Sequence, residues 1–287
     1  MQKTRLMQYK LNNKSSLILE GGGLRGVFTC GVLDNFMERG IEFPFSVGVS
    51  AGACNGLSYI SKQKGRAKYS NIDLLAKYRY IGLKYLFTQR NIMDFNLLFH
   101  KFPDEIIPYD YHELASTTRK FVMVTTNCIT GEANYLQEYT DSRRVIDIVK
   151  ASSSLPYISP ISYVDGIPML DGGIADSIPL EYAISQGYDN PVIVLTRNRG
   201  YRKSETRSSF IPKMFYSKYP SLVKSIVSRN RRYNATLDYI EKMEDEGKLM
   251  VIRPVKPVEV SRMEKNIEKL TSLYREGYEL ASKFNLE

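Results

Sequence analysis

The chain has 287 residues, of which 43% are hydrophobic, 25% charged and 11% aromatic. This composition is ordinary for a globular protein and argues against a disordered or collagen-like chain. No apolar run approaches the roughly 18 residues of a membrane-spanning helix, so we expect any membrane contact to be peripheral. The three cysteines, Cys30, Cys54 and Cys128, form no Cys-x-x-Cys pair and cannot all pair within one chain, which predicts reduced thiols and a cytoplasmic location.

The first half of the chain alternates short apolar strands with helices, which predicts an α/β domain. A strand over 16–20 runs into a group of glycines and then into a helix over 27–39, which Gly40 ends. A second strand over 45–49 leads through Ser50 into another helix. The succession of strand, sharp turn and helix therefore occurs twice.

The remaining elements are predicted from the same periodicities and from turn dipeptides. No Pro/Gly/Ser-rich linker divides the chain. In chain order we predict helices over 72–87 and 109–119, paired strands over 120–129 and 133–137, a helix over 143–151, a hairpin of strands 161–164 and 167–170 turning at Asp165-Gly166, a helix over 179–186, a strand over 191–196, a helix over 234–246, a strand over 249–253, and a last helix opening at a capping box of Ser261 and Glu264.

The net charge of +9 is concentrated in one segment. Residues 197–232 contain eleven basic residues and a single acid, Glu205, interleaved with aromatic and aliphatic residues. This mixture suits an anionic lipid surface or a nucleic acid. A solvated basic surface that aids solubility or oligomer contact is the alternative interpretation.

The glycine-rich run from Gly21 to Gly26 (GGGLRG) lies between the first strand and its helix and satisfies the dinucleotide-binding pattern G-x-G-x-x-G. That use requires an acidic residue at the end of the second strand, where this chain has Gly48-Val49-Ser50. The same geometry leaves backbone N–H groups free at a helix N-terminus. Such a turn can bind a phosphate or stabilise an oxyanion.

The run from Gly48 to Gly52 (GVSAG) matches the nucleophile elbow G-x-S-x-G in its expected context of strand, tight turn and helix. A tight turn that pushes a serine side chain outward leaves no room for bulky neighbours. The alternative is an ordinary glycine-rich turn, since the pentapeptide occurs by chance in many chains. The motif nominates Ser50 as a nucleophile.

A serine nucleophile needs a base, and the chain has only two histidines, His100 and His112. In α/β-hydrolases the histidine follows the acid of the triad along the chain. No acid between Ser50 and His112 lies at the end of a convincing strand. We therefore expect both histidines to be surface residues and a carboxylate to act directly as the base.

Asp171-Gly172-Gly173, directly after a predicted strand, provides that carboxylate. Glycines after an acid at a strand end permit close backbone approach. Asp-Gly is also a common turn dipeptide, which is the alternative interpretation. An aspartate near its reference pKa of about 3.9 is a poor base at neutral pH unless burial or favourable geometry compensates.

Taken together, four blocks in this order resemble the patatin-like phospholipase family. The family pattern is a glycine-rich turn, a G-x-S-x-G elbow, an Ala-Ser motif leading to a proline, and Asp-Gly-Gly. Each block alone is common, but four in order, the first two on strand-turn-helix units, form a specific pattern. In this chain they are Gly21 to Gly26, Gly48 to Gly52, Ala151 to Pro156 (ASSSLP) and Asp171 to Gly173.

The resemblance implies a three-layer α/β/α fold with a mostly parallel sheet and a Ser-Asp dyad that acts on lipid acyl esters without metal or cofactor. It covers residues 15–200 and leaves 201–287 as a small basic, helical C-terminal extension. Ser50 is the implied nucleophile and Asp171 the implied base. The implied oxyanion hole consists of the N–H groups of Gly22, Gly23 and Leu24 with Arg25 adding positive charge, and the two turns that shape the dyad contain Gly48, Gly52, Gly172 and Gly173.

Two other classes of function stay open. One is a catalytically silent lipid-binding or scaffold protein that keeps the fold, and the other is a dinucleotide-binding enzyme, which rests on G-x-G-x-x-G alone. We expect the partners to be a lipid or acyl-ester substrate and, through residues 197–232, an anionic membrane, rather than a nucleic acid. The sequence does not decide the acyl chain, the head group or the oligomeric state.

Overall fold

A computed structural model describes residues 8–205 and 208–286 and has a mixed α/β architecture. In this part of the chain the strands are β1 (Gln8–Tyr9), β2 (Ser15–Leu19), β3 (Phe45–Val49), β4 (Lys120–Asn127), β5 (Ala133–Leu136), β6 (Ser162–Val164), β7 (Ile167–Asp171), β8 (Asn190–Val194), β9 (Met250–Ile252) and β10 (Asn285–Leu286).

The helices alternate with these strands through the first two thirds of the chain. Short 3-10 turns follow β2 and β7, at Gly23–Gly26 and Gly172–Ile174, and π-helical segments cover Tyr69–Asp73 and Leu97–Ile106. The α-helices are α1 (Val27–Glu38), α2 (Ala51–Ile60), α3 (Arg66–Lys68), α4 (Leu74–Tyr78), α5 (Lys84–Gln89), α6 (Tyr111–Ser116), α7 (Ser142–Ser152), α8 (Leu180–Ser185), α9 (Phe210–Tyr216), α10 (Pro220–Asp245) and α11 (Ile267–Ser282).

The large sheet has the strand order β6-β7-β4-β3-β2-β8-β9, and β5 also pairs with β4. The strands from β4 through β3, β2 and β8 to β9 are parallel, whereas β5, β6 and β7 run antiparallel to their neighbours. Parallel strands end at the same edge of a sheet, so the turns after β2 and β3 lie side by side. The prediction of an α/β fold with a mostly parallel central sheet is confirmed.

Alternate residues of β2 show how the sheet is covered on both faces. Leu17 and Leu19 belong to a core cluster with residues of α1, α2, α7 and α11. Ile18, between them, belongs to a second cluster with residues of α8 and α10. Because successive side chains of a strand point to opposite faces, the sheet lies between two helical layers.

The last third of the chain adds strand β9 to the large sheet and helix α11 to the helical layer that contains α1. β9 pairs in parallel with β8, from Val192 opposite Met250 to Val194 opposite Ile252. α11 packs closely on α1 where both helices have glycine: a Cβ on Gly277 would overlap the carbonyl oxygen of Phe28. The division of the chain after residue 200 stays a prediction. None of the described helices combines the length and the hydropathy needed to cross a bilayer.

The helix predicted over 109–119 is shorter in the structure, where α6 covers Tyr111–Ser116. Two other predicted helices differ more strongly. The helix predicted over 72–87 is interrupted, because α4 ends at Tyr78, Arg79 adopts a left-handed conformation (φ 49°) and α5 begins only at Lys84. The helix predicted to start at residue 234 begins at Pro220 instead. Its first half is rich in serine and basic residues, so the apolar periodicity there is weak.

The start predicted for the last helix is also wrong. The Ser261 N–H does donate to the Glu264 carboxylate at 3.3 Å, as a capping box requires, but no helix begins there. α11 begins at Ile267, where the Asn266 side chain accepts a hydrogen bond from the Lys269 N–H at 3.0 Å. Asparagine is as good an N-cap as serine, and here it sits directly before the apolar face.

Candidate active site

Ser50 lies on the sharp turn between β3 and α2. Its backbone has φ 55° and ψ −121°, a conformation that L residues rarely adopt. The flanking glycines are required sterically: a Cβ on Gly48 would lie 2.5 Å from the carbonyl oxygen of Gly52, and one on Gly52 would overlap the carbonyl oxygen of Leu19. The turn therefore has the strained, tightly packed geometry expected of a nucleophile elbow.

The sheet register places Ser50 and Asp171 on opposite sides of one strand. Val49, the last residue of β3, is paired with Val124 of β4, so Ser50 follows at the level of Thr125. Asp171, the last residue of β7, is paired with Thr125 itself. Ser50 and Asp171, which are 121 residues apart in the sequence, thus lie at the same edge of the sheet.

The Asp171 carboxylate is buried, with a relative exposure of 2%. Its Oδ1 accepts a hydrogen bond from the Gly173 N–H at 2.8 Å, and its Oδ2 has no hydrogen-bond partner among the described residues. Gly172 lets this turn lie against β4, since a Cβ there would overlap the carbonyl oxygen of Val124. One carboxylate oxygen is therefore fixed by the backbone while the other stays available as a hydrogen-bond acceptor.

The Ala-Ser motif at the end of α7 holds both residues in place, a role that the sequence analysis did not assign. The Ser50 N–H donates to Ser152 Oγ at 2.8 Å, and Ser152 Oγ donates to the carbonyl of Val124 at 2.6 Å. Two residues on, the carbonyl of Ser154 accepts the Asp171 N–H at 2.8 Å. In the sequence, the only indication of this role is that the motif lies between the elbow and Asp-Gly-Gly.

The glycine turn after β2 lies directly against the elbow. A Cβ on Gly21 would be 3.0 Å from the Ser50 Cβ. Among the described residues, the N–H groups of Gly22 and Gly23 have no hydrogen-bond acceptor. The Leu24 N–H, in contrast, donates to the carbonyl of Arg262 at 3.0 Å and is not free for a ligand. The N–H groups of Gly22 and Gly23 are therefore free to donate to a ligand.

Arg25 is buried on the same turn, with a relative exposure of 6%. Its Nε has no hydrogen-bond partner in the described part of the chain. Burial, together with the nearby charges of Arg197 and Arg262, lowers the pKa of Arg25 to about 10. Its guanidinium remains charged at neutral pH and contributes positive potential beside the glycine turn.

Ser50, Asp171 and the glycine turn line one small cavity, which we call the dyad cavity. Apart from Arg25, the cations that line it are Lys203, Arg229 and Arg262. Glu20 also lines it but is already bonded: Oε1 accepts from Tyr233 at 2.7 Å, and Oε2 accepts from the Thr196 N–H and hydroxyl. The structure brings the predicted serine, aspartate and glycines together in one place.

A second, mostly apolar pocket adjoins the dyad cavity and shares Gly23, Ser50, Leu155 and Arg262 with it. It has an empty volume of about 900 Å³, which includes the solvent at its mouth. Most of its aromatic wall comes from residues 80–109, including the π-helical segment Leu97–Ile106. The sequence pattern of these residues does not assign them to a site. The apolar side chains that line it include Tyr80, Met93, Phe95, Leu98, Phe99, Phe102, Ile146, Val149, Leu155 and Met263.

Neither histidine lines the dyad cavity or the apolar pocket. His100 Nδ1 lies 3.0 Å from an Arg143 guanidinium nitrogen, and His112 is exposed on α6. Cys30, Cys54 and Cys128 are all free thiols in the structure, as the sequence predicts. The site around Ser50 is thus built without histidine.

The fold and the site define a mostly parallel α/β protein in which a serine elbow and a buried aspartate share one cavity. Comparison with family models agrees: the model described as patatin-like phospholipase matches residues 17–184, more than half of the chain. The chain therefore belongs to the patatin-like phospholipase family, a family of lipid acyl hydrolases. A second model, a domain of unknown function (DUF6363), matches residues 219–286.

Individual relatives agree with this assignment. The chain is 28% identical over 278 residues to the uncharacterized protein YjjU of Escherichia coli K12, covering 91% of this chain and 74% of that protein. It is 29% identical over 193 residues to lysophospholipase nte1 of Aspergillus terreus, covering 64% of this chain but only 12% of that protein. The crystal structure of VipD from Legionella pneumophila shares the fold, with a TM-score of 0.53 at 12% identity over 98% of this chain and 71% of VipD.

Proposed function

We propose that the protein is a serine acyl hydrolase that cleaves lipid esters through a dyad of Ser50 and Asp171. The observation that carries the proposal is the dyad cavity, in which the elbow serine, the free Oδ2 of Asp171 and the unoccupied N–H groups of Gly22 and Gly23 converge. The similarity to a lysophospholipase over 193 residues supports the same class of substrate. Membership of the patatin-like family supports an ester hydrolase of the phospholipase A or lysophospholipase type.

In the proposed mechanism, Ser50 Oγ attacks the acyl carbonyl carbon while its proton passes to Asp171. The resulting oxyanion accepts hydrogen bonds from the N–H groups of Gly22 and Gly23, and the charge of Arg25 adds to their effect. The bond from the acyl carbon to the alcohol oxygen then breaks, and Asp171 returns the proton to the alcohol. Water repeats the sequence on the acyl-serine, which releases the fatty acid and restores both residues.

The apolar pocket is the proposed site of the acyl chain. It begins at Ser50 and is lined further in by aromatic rings such as Phe95 and Phe99. Burying methylene groups there gains about 0.8 kcal/mol for each, so the pocket favours substrates with a long apolar chain. The apolar pocket and the dyad cavity thus separate the acyl chain from the alcohol portion of the ester.

A fluorophosphonate probe tests the nucleophile, because it forms a bond with an activated serine. We expect wild-type protein to be labelled and Ser50→Ala to remain unlabelled at equal folding, judged by circular dichroism. Hydrolysis of lysophospholipids that depends on Ser50 would extend the result to the substrate. A folded wild-type protein that neither reacts with the probe nor cleaves esters would favour the alternative, a catalytically silent lipid-binding protein.

We also propose that the enzyme works while peripherally attached to an anionic membrane, on the cytoplasmic side, through α9 and its surroundings. Four large apolar side chains of α9 are exposed: Phe210, Ile211, Met214 and Phe215, with relative exposures of 72, 54, 63 and 52%. Exposed lysines lie beside them. An exposed apolar patch flanked by basic residues is typical of interfacial helices.

The basic residues of 197–232 are not all available to a membrane, which refines this proposal. Arg197 donates to the carbonyl of Val258, and Lys203 and Arg229 line the dyad cavity. Arg199 and Arg202 form ion pairs with acids of α10, and Arg232 donates to the carbonyl of Ile174. Arg207 lies outside the described residues. The exposed cations that remain for a membrane are Lys213, Lys218, Lys224 and Arg231.

The absence of tryptophan from the sequence makes the membrane contact easy to test. A Phe215→Trp variant has a single tryptophan, whose emission should shift to shorter wavelength with anionic phosphatidylglycerol vesicles and much less with phosphatidylcholine vesicles. Neutralising Lys213, Lys218 and Lys224 in that background should weaken the shift. An unchanged spectrum with anionic vesicles would contradict the docking surface.

A further inference from the structure

Three cations of the dyad cavity come from beyond the part of the chain that matches the patatin-like family model. That match ends at residue 184, whereas Lys203, Arg229 and Arg262 line the cavity from the last third of the chain. Arg229 lies on α10, and Arg262 lies in the loop before α11. The C-terminal region therefore supplies positive charge to the space beside Ser50.

These three side chains form no close ion pair, although the carboxylates of Asp171 and Glu20 act on Arg229 from a longer distance. Within the described residues, none of them lies within 4.0 Å of a carboxylate, whereas neighbouring Arg199 and Arg202 are each paired with acids. Arg229 Nε donates to the carbonyl of Gly173 at 2.5 Å. Four cationic side chains but only two carboxylates, those of Glu20 and Asp171, line the dyad cavity. Partly buried cations in excess are costly, so this cavity favours the binding of a further anion.

Lys203 illustrates that cost. Its ammonium lies 3.2 Å from the centroid of the Tyr233 ring, and the charges that act on it are those of Arg229, Glu20, Arg262 and Arg25. Burial and the charge of Arg229 lower the pKa of Lys203 to about 6, although Glu20 acts in the opposite direction. A bound anion between Lys203 and the arginines would relieve this repulsion.

The same three cations also line an outer cavity that leads from the dyad cavity toward α9. Its wall includes Ser204, Ile211 and Pro212, next to the exposed apolar side chains of that helix. Arg262 in addition lines the apolar pocket and so stands where the three spaces meet. An ester with its acyl chain in the apolar pocket would therefore place its alcohol portion among these cations.

We propose that Lys203, Arg229 and Arg262 bind the phosphate group of an anionic lipid head group. The inference rests on the proposed hydrolase function and adds the class of head group to it. Arginine and lysine provide the charged N–H donors that phosphate oxygens accept. A choline head group would bring a quaternary ammonium close to the same three cations, so anionic lipids are preferred over zwitterionic and neutral esters.

The first test measures binding without turnover. Glycerol 3-phosphate, which carries a phosphate but no acyl ester, should raise the melting temperature of the full chain, while glycerol at equal ionic strength should not. Lys203→Met and Arg262→Gln should each reduce that rise. Lys256→Met is the matched control, because Lys256 is an exposed loop lysine that lines none of the three spaces.

The second test compares kcat/KM for lysophosphatidylglycerol, lysophosphatidylcholine and a monoacylglycerol with the same acyl chain. We expect the wild type to prefer the anionic lipid by about tenfold or more, and Arg262→Gln to reduce that ratio by about tenfold, the typical effect of a lost charged hydrogen bond. Lys256→Met should keep the wild-type ratio. Arg229 is not substituted, because its contact with Gly173 would disturb the Asp171 turn.

The outcomes separate the two proposals. Equal kcat/KM for the three esters, with Ser50-dependent hydrolysis intact, would overturn the head-group site and leave the hydrolase in place. Binding of glycerol 3-phosphate through Lys203 and Arg262 with an unchanged ester ratio would assign the site to a free phosphate ligand and overturn the head-group role. If no ester is cleaved, the hydrolase proposal and the head-group role fail together, and the melting experiment still decides whether the cations bind phosphate.

Discussion

The two walls of the dyad cavity differ in origin and in chemistry. One wall, built within residues 17–184, is made of backbone N–H groups, an elbow serine and an aspartate held by fixed hydrogen bonds. The other wall, contributed by Lys203, Arg229 and Arg262, is made of long cationic side chains that form no close ion pair with the described residues. Under the two proposals above, the family-matching part would supply the chemical step, and the C-terminal region would select the head group that is brought to it.

The largest loss of activity should follow from substitutions in the wall that contains Ser50 and Asp171. Ser50→Ala and Asp171→Asn should each lower kcat for ester hydrolysis by about 10⁴-fold or more, as removal of a nucleophile or its base does in serine hydrolases. Asp171→Asn should leave the fold unchanged, because an asparagine oxygen can still accept the Gly173 N–H. Steady-state kinetics with circular dichroism checks this, and an active Asp171→Asn would contradict the dyad.

Ser152 should come next, because it positions Ser50 without touching the substrate. Ser152→Ala removes the acceptor of the Ser50 N–H and leaves the Val124 carbonyl without this donor. We expect unfolding free energy to fall by about 1–3 kcal/mol and kcat to fall with little change in KM. Ser152→Thr, which keeps the hydroxyl, should recover part of kcat, whereas equal damage in both variants would indicate a merely structural role.

The cationic wall should make the KM for an anionic lipid depend on pH. Because the pKa of Lys203 is lowered to about 6, its ammonium is charged below that pH and neutral above it in the free protein. The KM for lysophosphatidylglycerol, whose phosphodiester does not titrate in this range, should therefore rise severalfold between about pH 5 and pH 8. The KM for a monoacylglycerol should stay nearly constant over the same interval.

Two variants test the assignment of that pH dependence. Lys203→Met should remove the rise in KM for the anionic lipid, while Lys256→Met should retain it. The groups that face Lys203 are the Tyr233 ring, Arg25, Arg229, Arg262 and Glu20. Burial and the charge of Glu20 raise the pKa of Tyr233, so its phenol stays protonated over this interval. A pH dependence that persists in Lys203→Met would have to come from another group and would argue against Lys203 as its source.

The smallest effect is expected from the histidines, which belong to neither wall. A double variant, His100→Gln with His112→Gln, should change kcat by no more than about twofold, since surface substitutions usually alter stability or function little. The pH profile of kcat should also keep its shape. A folded double variant with greatly reduced turnover would show that a histidine takes part after all.

Much of the first wall could be predicted from the sequence because its motifs coincide with strongly patterned strands. β3 has the predicted bounds, and the Asp165-Gly166 hairpin sets the register that brings Asp171 beside β4. Strand periodicity and a two-residue turn are local signals. The positions of the elbow and of the Asp171 turn could therefore be predicted from these two signals.

The apolar pocket and the second wall could not be predicted in the same way. The π-helical segment Leu97–Ile106 and the break at Arg79 disrupt the regular helical period, so the aromatic residues there gave no assignable face. Lys203 and Arg262 lie in loops, where position is decided by tertiary contacts rather than by periodicity. The number of basic residues in 197–232 indicates a positively charged segment. It does not show which of its arginines form ion pairs with acidic residues and which do not.

The antiparallel pairing of β7 with β4 has one more consequence. Since side chains alternate between the faces of a strand, a shift of β7 by a single residue would turn Asp171 toward the opposite face and leave Ser50 without a base. During refolding, Ser50 should therefore react with a serine-directed reagent only in molecules in which β7 has paired with β4 in the correct register. This reaction would distinguish a correctly assembled sheet from a compact but misaligned one that has the same helical content.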